Sequence, residues 1–362
     1  MSKRLWDKER PMSIDGWCCT SIGKPRKSRL IIFLGEMRER WVLMVAVLLI
    51  GSTPAPLALM ARDPLPKELS CPLTCTNISD VRPGKVLLGG ESPLLVRVAR
   101  VNGVRETSLV QVELNLSSPL LPRGSARMME LEISLLFGRS FLQQAPASRS
   151  FAQLAGSCQI GSRGTLVLWA AGIPSAPQPF LLRPLSCDCP LLAANLCLNL
   201  ARLLFELEST AMGSVLLLDL GQDPCLLLAD RRGRVSLLLP GDFVAFPKGS
   251  RLMQGRPCAS GRDCWLEGRY ATAESECLQG ACLGYTPSSN LLTAFPTYFD
   301  PLLALIARSL ANPRTLRLVD TLRRAGRTPD LSPARLLAVL ELIAKSVMSE
   351  QSRSTVQFSS TG

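Results

Sequence analysis

The stretch that decides the fold is Ala211–Cys282, which reads AMGSVLLLDLGQDPCLLLADRRGRVSLLLPGDFVAFPKGSRLMQGRPCASGRDCWLEGRYATAESECLQGAC. It opens with three apolar runs, at Val215–Leu218, Cys225–Leu228 and Val235–Leu239. Runs of this length, bounded by Gly, Asp and Pro, are typical of short buried strands. The polar corner Asp230–Arg234 predicts that the second and third strands form a hairpin.

The composition excludes several kinds of active site. The 362 residues include no histidine, which removes Ser-His-Asp catalysis, Cys-His nucleophiles and His-ligated zinc. The net charge is +12, and basic residues are spread along the chain. This charge predicts either a solvated cationic surface or a site for an acidic polysaccharide. No basic stripe is interleaved with aromatic residues, so we expect no nucleic-acid partner.

The N-terminal part indicates the secretory pathway. Residues 1–40 are polar and mainly basic, and Trp41–Ala61 follows as a run without charge. Basic residues before such a run favour a cytoplasmic N terminus and a luminal remainder. The run is long enough to span a bilayer, but Pro54 and Pro56 shorten its helical part. A type II signal anchor and a cleaved signal peptide both stay open, and we expect a Golgi-luminal or secreted protein, attached to the membrane if Trp41–Ala61 is retained.

Sequons and cysteines fit that compartment. Asn77 and Asn115 each begin an Asn-x-Ser sequon, so we expect glycans on both. Thirteen cysteines in an oxidising compartment favour disulfides. The cysteines expected in bridges are Cys71, Cys75, Cys158, Cys187, Cys189, Cys258, Cys264, Cys277 and Cys282. For the last four, a zinc site with thiolate ligands is the less favoured alternative, because their intervals are loose.

Alternation predicts a sheet in the first half of the chain. Strands are expected at KVLLGG, LLVRVARV and SLVQVEL within Val86–Leu114, with turns at Gly89-Gly90 and Asn102-Gly103. Ala126–Gln144 has helical character and is followed by a strand at Thr165–Trp169. The Pro- and Gly-rich segment Ala170–Pro179 is then expected to be a connection.

The second half contains the clearest helix, at Ala193–Glu208. Its apolar residues recur at the helical period, and Cys197 lies on that stripe, so we expect it to be a free thiol in the core. Further helices are expected at Leu302–Leu310 and Pro313–Arg324. Another should start at Ser332-Pro333 and run to about Met348, with a disordered tail at 349–362.

The order of these features resembles the catalytic half of a protein kinase. It is most similar to the vertebrate lonesome kinase group, the extracellular protein-tyrosine kinases of the secretory pathway, and more distantly to the divergent protein kinase domain family. The residues that carry the resemblance are Gly213-Ser214-Val215, Leu217-Leu218-Asp219, Pro257-Cys258-Ala259, Asp263-Cys264-Trp265-Leu266-Glu267, Cys277, Cys282 and Asn290-Leu291. The resemblance implies an α+β, two-lobed protein-kinase-like domain at 69–348, with a β-rich N-lobe at about 80–169 and a helical, disulfide-stapled C-lobe at about 180–348.

The resemblance also assigns expected roles to residues. Asp219 matches the catalytic aspartate, and Gly89 and Gly90 lie where a glycine-rich loop would cover the nucleotide. The glutamate of the first long helix matches either Glu130 or Glu132, and the sequence does not choose between them. All of these roles serve phosphoryl transfer, in which positioning and charge neutralisation do most of the work.

Three of the positions that would bind nucleotide or magnesium carry residues unsuited to that role. The lysine that binds nucleotide phosphates falls on Gln111, and the two magnesium ligands fall on Pro224 and Leu239. Asp242 could replace the second ligand only if the Pro240-Gly241 turn were redrawn. Removing one preorganised electrostatic contact commonly reduces a rate by about 10²–10³, so these substitutions predict the loss of catalysis.

The function expected from the sequence is therefore binding or regulation by a pseudokinase. Its partners would be secreted or extracellular-matrix proteins, and we expect no cofactor. The alternative is an active secreted protein-tyrosine kinase that uses Asp219 and Mg-ATP to phosphorylate secretory or matrix proteins. A membrane-anchored, cysteine-rich interaction protein without a kinase fold is a further alternative.

Overall fold

The part of the chain that has a described structure covers most of the predicted domain. The computed structural model describes Leu73 and residues 81–90, 92–101, 109–121, 126–145, 148–160, 163–169, 178–179, 189–218, 220, 226–230, 232–241, 243–266, 275–286, 288–326, 328 and 331–359. The apolar run Trp41–Ala61, the turn Asn102-Gly103 and most of the connection Ala170–Pro179 lie outside these residues. The predictions made for those segments therefore stay predictions.

A five-stranded antiparallel sheet forms the first half of the structure. Its strands are β1 (Val81–Leu88), β2 (Leu94–Val101), β3 (Leu109–Leu114), β4 (Gln153–Ile160) and β5 (Arg163–Trp169), in the spatial order β1-β2-β3-β5-β4. The predicted strands β1, β2, β3 and β5 are confirmed. Strand β4 was not predicted, because its sequence QLAGSCQI is rich in small and polar residues that carry little strand propensity.

Helix α1 (Ala126–Gln144) covers one face of this sheet, with the bounds that the sequence predicts. Its buried Leu131 and Leu135 belong to the same apolar cluster as Val112 on β3 and Leu166 on β5. Val112 and Leu166 are direct cross-strand partners, so they point to the same face of the sheet. The sheet therefore has a core face turned towards α1 and an opposite, outer face.

Buried helices and short strands form the second half. Helix α2 (Pro190–Leu207) is followed by strand β7 (Ser214–Leu217), which pairs with β10 (Phe243–Phe246). The predicted hairpin is confirmed as β8 (Leu226–Ala229) and β9 (Val235–Leu239), and β6 (Gln178–Pro179) adds to its edge. Helix α2 has ten buried residues and lies at the centre of the core, as its apolar period predicts.

The remaining elements complete the second half. They are a 3₁₀ turn at Gly261–Cys264, strands β11 (Cys277–Leu278) and β12 (Ala281–Cys282), helix α3 (Ser289–Ala294), a π-helical turn at Phe295–Phe299, and helices α4 (Asp300–Ser309), α5 (Pro313–Ala325) and α6 (Pro333–Ser359). Helix α6 continues to Ser359, so the prediction of a disordered tail was wrong up to that residue. The reason is that no Gly or Pro follows Pro333 before Gly362 to end the helix.

One apolar cluster joins the two halves. It includes residues from the core face of the sheet, from α1 and α2, and from the C-terminal helices. Backbone hydrogen bonds also cross between the halves, since the amide of Leu237 on β9 donates to the oxygen of Ser150 at 2.7 Å and its oxygen accepts from Ala152 at 3.0 Å. The fold is thus α+β, with a β-rich first half and a largely helical, disulfide-bonded second half, consistent with a kinase-like fold.

Two described helical stretches, Pro190–Leu207 and Ser289–Ser309, are long and apolar enough to cross a membrane. About half of each stretch is buried inside the protein. Core helices of globular proteins have the same composition, so these stretches are weak support for membrane insertion.

Candidate functional site

Strand β7 leads into the predicted catalytic carboxylate, and all four of its residues are buried. Val215 and Leu217 belong to the main core, whereas Leu216 belongs to a second, smaller cluster with Phe246 and Tyr285. The strand is therefore covered on both faces. Asp219 itself lies outside the described residues, so its catalytic role stays a prediction.

The side chain of Asn290 takes the place of a neighbouring strand along the free edge of β7. Its Oδ1 accepts a hydrogen bond from the Leu217 amide at 2.8 Å, and its Nδ2 donates to the Val215 oxygen at 2.7 Å. Asn290 is completely buried at the start of α3. Because an unpaired backbone group in the core is unfavourable, the amide side chain fixes the strand that precedes Asp219. The sequence placed Asn290 in a motif but did not reveal this contact.

The glycine that opens the same motif is required by the backbone. Gly213 has a φ of +102°, and a β-carbon there would collide with the backbone oxygen of Phe246 on β10. The neighbouring Ser214 hydroxyl donates to the Glu208 oxygen at 3.0 Å. The Gly213-Ser214 part of the motif is thus explained by the close approach of β10 and the end of α2.

The corner of the β8–β9 hairpin is built around Asp230. Its Oδ1 accepts from the amides of Arg232 and Arg234, each at 2.9 Å, and its Oδ2 accepts from Arg234 Nε at 2.7 Å. Gly233 has a φ of +78°, and a β-carbon on it would lie 2.6 Å from Cβ of Asn195 on α2. These contacts all close the hairpin turn, so the Asp230 carboxylate has a structural role.

The end of β9 carries an apolar side chain where the resemblance places a magnesium-binding aspartate. Leu239 is 2% exposed. It reaches α1 closely enough that a β-carbon on Gly138 would lie 2.7 Å from Leu239 Cδ2. The end of this strand is therefore sealed against α1 by apolar contact, and Asp242 lies outside the described residues.

Gln111 does not point towards α1. It lies directly opposite Arg97 on β2, and both belong to the outer face of the sheet, since Val110 and Val112 on either side of Gln111 are in the core. On that outer face Gln111 Nε2 donates to Glu113 at 3.3 Å, and Glu113 forms an ion pair with Arg97. The prediction that Gln111 marks the phosphate-binding position is thus wrong in orientation, because the β3 side chains that face α1 are valines.

The glycine turn between β1 and β2 is held in place by Asn115. Gly90 has a φ of +68°, which explains the glycine at this turn. Asn115 Nδ2 donates to the backbone oxygens of Gly90 and Ser92, both at 2.9 Å, and the residue is buried. A glycan replaces one of the two Nδ2 hydrogens, so at least one of these bonds would be lost, and the sugar would have to leave from a buried side chain; the structure therefore contradicts the prediction of a glycan at Asn115. Asn77 lies outside the described residues.

A small pocket on α1 contains the one candidate helix glutamate whose side chain is described. Glu132, Arg139 and Leu136 line it from the helix, together with Ser157 on β4 and Leu166 on β5. The Oε1 atom of Glu132 is shielded from solvent and has no hydrogen-bond partner among the described residues. The strand residues that line the pocket come from β4 and β5, and none comes from β3, where the resemblance would place the lysine partner of Glu132.

Two interlaced disulfides organise the segment after β10. They join Cys258 to Cys277 and Cys264 to Cys282. The sulfur atoms of Cys258, Cys264 and Cys282 lie within 4.8 Å of one another, but all of them are oxidised in bridges. This pairing confirms the predicted disulfides and overturns the zinc alternative, because a zinc site needs free thiolates.

Hydrogen bonds from the chain reinforce the disulfide segment. The Tyr285 hydroxyl donates to the Cys264 oxygen at 2.9 Å and accepts from the Leu266 amide at 3.1 Å. The amides of Ser260 and Ala259 donate to Asp263 at 2.8 Å, and these bonds lower the pKa of that carboxyl below its ordinary value. The Asp263-Cys264 pair of the motif is thus a structural unit that closes the 3₁₀ turn.

The other cysteines have mixed outcomes. Cys158 is disulfide-bonded, as predicted, to a cysteine outside the described residues. Cys71, Cys75 and Cys187 also lie outside the described residues, so their bridges stay predictions. Cys189 is free, which contradicts its predicted bridge; it precedes α2 and packs, partly buried, against the main core. Cys197 is a free buried thiol as predicted, and burial raises its pKa far above the ordinary range, so it stays protonated.

A carboxylate on α2 supports the chain segment that pairs with β9. The hydroxyl of Ser148 donates to Glu206 Oε2, and Ser150, two residues later, accepts the Leu237 amide. Desolvation by burial raises the pKa of Glu206 above its ordinary value, although the hydrogen bonds from Ser148 and Ser150 partly offset that rise. Burial also raises the pKa of Glu208. These groups are structural, since both lie on the core helix and its end.

Comparisons with known proteins agree with the kinase-like resemblance at a coarse level. No family model matches the chain. It is 30% identical over 149 residues to the human protein described as "Extracellular tyrosine-protein kinase PKDCC". The match covers 41% of this chain and 28% of that relative. This similarity supports a relationship to secretory kinase-like proteins, and with it a location in the secretory pathway or outside the cell.

Proposed function

We propose that this chain is a secretory-pathway, protein-kinase-like protein that acts by binding other proteins and does not transfer phosphate. The observation that carries the proposal is the end of β9, where buried Leu239 is packed against Gly138 of α1. A magnesium ligand at this position would have to be a carboxylate open to the nucleotide. An apolar side chain sealed against a helix cannot serve that purpose.

Strand β3 supports the same proposal. Its sequence, LVQVEL, contains no lysine or arginine, and the residues that face α1 are Val110 and Val112. The nearest cation on the neighbouring strand is Arg97, which forms an ion pair with Glu113 on the outer face. Strand β3, where the resemblance places the phosphate-binding lysine, therefore offers no cation to a nucleotide.

The residues present do not fit Mg-ATP. A kinase site needs a cation for the phosphates and oxygen ligands for magnesium, and each such contact commonly contributes about 10²–10³ in rate. Losses within one site do not add simply. Even so, a site without the β3 cation and without the β9 carboxylate retains little to hold a nucleotide.

Binding partners are proposed from the relationship and the compartment. A protein related to an extracellular kinase, in an oxidising compartment, would meet secreted or extracellular-matrix proteins. The relative's description names a tyrosine-protein kinase, so the second candidate is an extracellular tyrosine-protein kinase that uses Asp219. What favours this candidate is that Asp219 follows a strand whose position is fixed by Asn290.

Nucleotide binding and phosphate transfer separate the two candidates. Thermal denaturation of the full chain should give the same Tm without nucleotide, with Mg-ATP and with Mn-ATP. A radiolabelled-ATP assay on a tyrosine-containing polymer should give equal counts for the natural chain and for Asp219→Asn. A nucleotide-dependent rise in Tm, together with incorporation that Asp219→Asn abolishes, would replace the proposal by the active kinase.

A further inference from the structure

Helix α1 exposes large apolar side chains on the side that faces away from the sheet. Met129, Ile133, Leu136 and Phe137 are between 44% and 57% exposed. At 100° per residue these four positions fall on one face of the helix, opposite the buried Leu131, Leu135 and Leu142. We call these four residues the α1 stripe. Over Met129–Phe137 the outer face of α1 is therefore largely apolar, unlike that of a normal surface helix, whereas exposed Ser140, Gln143 and Gln144 make its last turns polar.

The α1 stripe differs from the other exposed apolar residues of the described chain. The others are Val86, Leu120, Leu278, Leu283, Leu292, Leu342 and Met348. The two of them that share a helix, Leu342 and Met348 of α6, are six positions apart and so point in different directions. Single exposed apolar residues are normal on protein surfaces, but a contiguous group on one helix marks an interaction surface.

Two opposite charges border the α1 stripe on one side. Glu132 and Arg139 both line the pocket beside the helix. Within the described part of the chain neither side chain has an ion-pair partner, and Oε1 of Glu132 has no donor. The two residues are separated by seven positions, or about 10.5 Å along the helix axis. Their midpoint falls at Leu135-Leu136, within the length of the stripe.

This charge arrangement is self-complementary. When two copies of one helix pack antiparallel about a twofold axis, a residue on one side of the axis meets the residue at the same distance on the other side. With the axis at Leu135-Leu136, Glu132 lies beside Arg139 of the partner subunit, and the reverse pair forms at the other end. We propose that a second copy of this chain docks on α1 in this antiparallel manner, so that Ile133, Leu136 and Phe137 of the two copies bury one another near the axis.

Measurements of self-association test the apolar part of the interface. The full chain, purified from the medium or from detergent-solubilised membranes, should show a concentration-dependent monomer–dimer equilibrium by sedimentation equilibrium. The double variant Ile133→Gln/Phe137→Gln should weaken the dimer at least about tenfold, since buried apolar anchors dominate interface energies. Leu342→Gln, on the exposed side of α6, is the matched control and should leave the dissociation constant unchanged.

The charges allow a sharper test that does not alter the apolar surface. Glu132→Arg and Arg139→Glu should each weaken self-association several-fold, because each places like charges beside one another. An equimolar mixture of the two variants should recover the natural affinity, since the mixed dimer contains only opposite-charge pairs. The chain carrying both substitutions should also recover it.

Three results would overturn the proposal. One is a natural chain that stays monomeric at every concentration, which would leave another protein, or another part of this chain, as the cover for the α1 stripe. The second is a dimer that Ile133→Gln/Phe137→Gln does not weaken. The third is a mixture of the single charge variants that associates no better than either alone. If the stripe variant fails to fold, the charge mixture decides.

Discussion

Strands β7 and β9 are both fully buried, but their C-terminal ends differ. Strand β7 leads towards Asp219, and a neutral amide, that of Asn290, fixes its backbone. Strand β9 ends in Leu239, which packs on Gly138 of α1. The backbone of the first strand is fixed by a polar contact before the predicted catalytic residue, whereas the second strand ends in apolar packing.

This difference separates the contacts that the fold needs for stability from those that only catalysis would need. Buried backbone groups must be paired, so the Asn290 contact is needed whether or not the protein is an enzyme. A carboxylate at the end of β9 would be unfavourable in the core without a metal or a cation. An apolar residue there stabilises the fold, which is the more favourable choice if, as proposed, the chain does not transfer phosphate.

Restoring a carboxylate at the end of β9 should have the largest effect. Leu239→Asp removes a buried leucine and leaves a charge against Gly138, so we expect the free energy of unfolding to fall by about 4 kcal/mol or more. Nucleotide binding should not appear, because β3 still lacks a cation. Urea denaturation and thermal shift with Mg-ATP measure the two effects. A matched Leu239→Met variant should lose less than about 1.5 kcal/mol.

A stable Leu239→Asp chain with a new response to Mg-ATP would break the comparison. It would mean that the end of β9 can move away from α1 and that a carboxylate there can take part in binding Mg-ATP. The Leu239→Met control separates this outcome from a general tolerance of the site to substitution.

Removing the amide at Asn290 should have the next largest effect. Asn290→Leu leaves the Leu217 amide and the Val215 oxygen unpaired in the core, which we expect to lower the free energy of unfolding by about 2–4 kcal/mol. Urea denaturation measures this loss. Asn199→Leu is the matched control: Asn199 Nδ2 donates to the Gly233 oxygen at 3.0 Å and to the Asn195 oxygen at 2.9 Å, but the residue is partly exposed, so water can replace these bonds.

Equal losses for Asn290→Leu and Asn199→Leu would contradict the importance given to the β7 edge. In that case the position of Asp219 would depend on the apolar packing of β7 alone.

The two strands also show how far the sequence predicts this structure. The apolar runs predicted β7, β8 and β9, and the alternation of SLVQVEL already placed Gln111 and Glu113 on the face opposite Val110 and Val112. The two-residue period of the strand therefore predicts the orientation of Gln111 correctly. Matching Gln111 to the kinase lysine gave the wrong face because that match ignored the period. The Asn290 contact joins residues more than seventy positions apart, and no local pattern predicts such a pair.

Loss of the predicted bridge at Cys189 and of the predicted glycan at Asn115 has a similar cause. Both predictions used residue type and compartment, which apply wherever the side chain lies. The structure places Cys189 against the main core and uses Asn115 to hold the Gly90 turn. Burial and tertiary hydrogen bonding, which short motifs do not report, decide these two sites.

The smallest predicted effect comes from pH and falls on the β9 side alone. Glu206 supports, through Ser148, the segment whose backbone pairs with Leu237, whereas the support of β7 by Asn290 does not titrate. Burial raises the pKa of Glu206 in the folded state above its value in the unfolded chain. The contribution of this carboxyl to stability is therefore complete below its pKa in the unfolded chain, about 4.3. It is lost as pH rises through the pKa in the folded state.

Glu206→Gln keeps an oxygen that can accept from Ser148 but removes the ionisation. We expect it to raise the free energy of unfolding at pH 7 by less than about 1 kcal/mol and to flatten its rise between pH 7 and pH 5. Glu276→Gln, at an exposed position, is the control and should change neither quantity. If Glu206→Gln instead lowers stability at pH 7, the ionised carboxylate is the form that holds Ser148, and β9 depends on a charge after all.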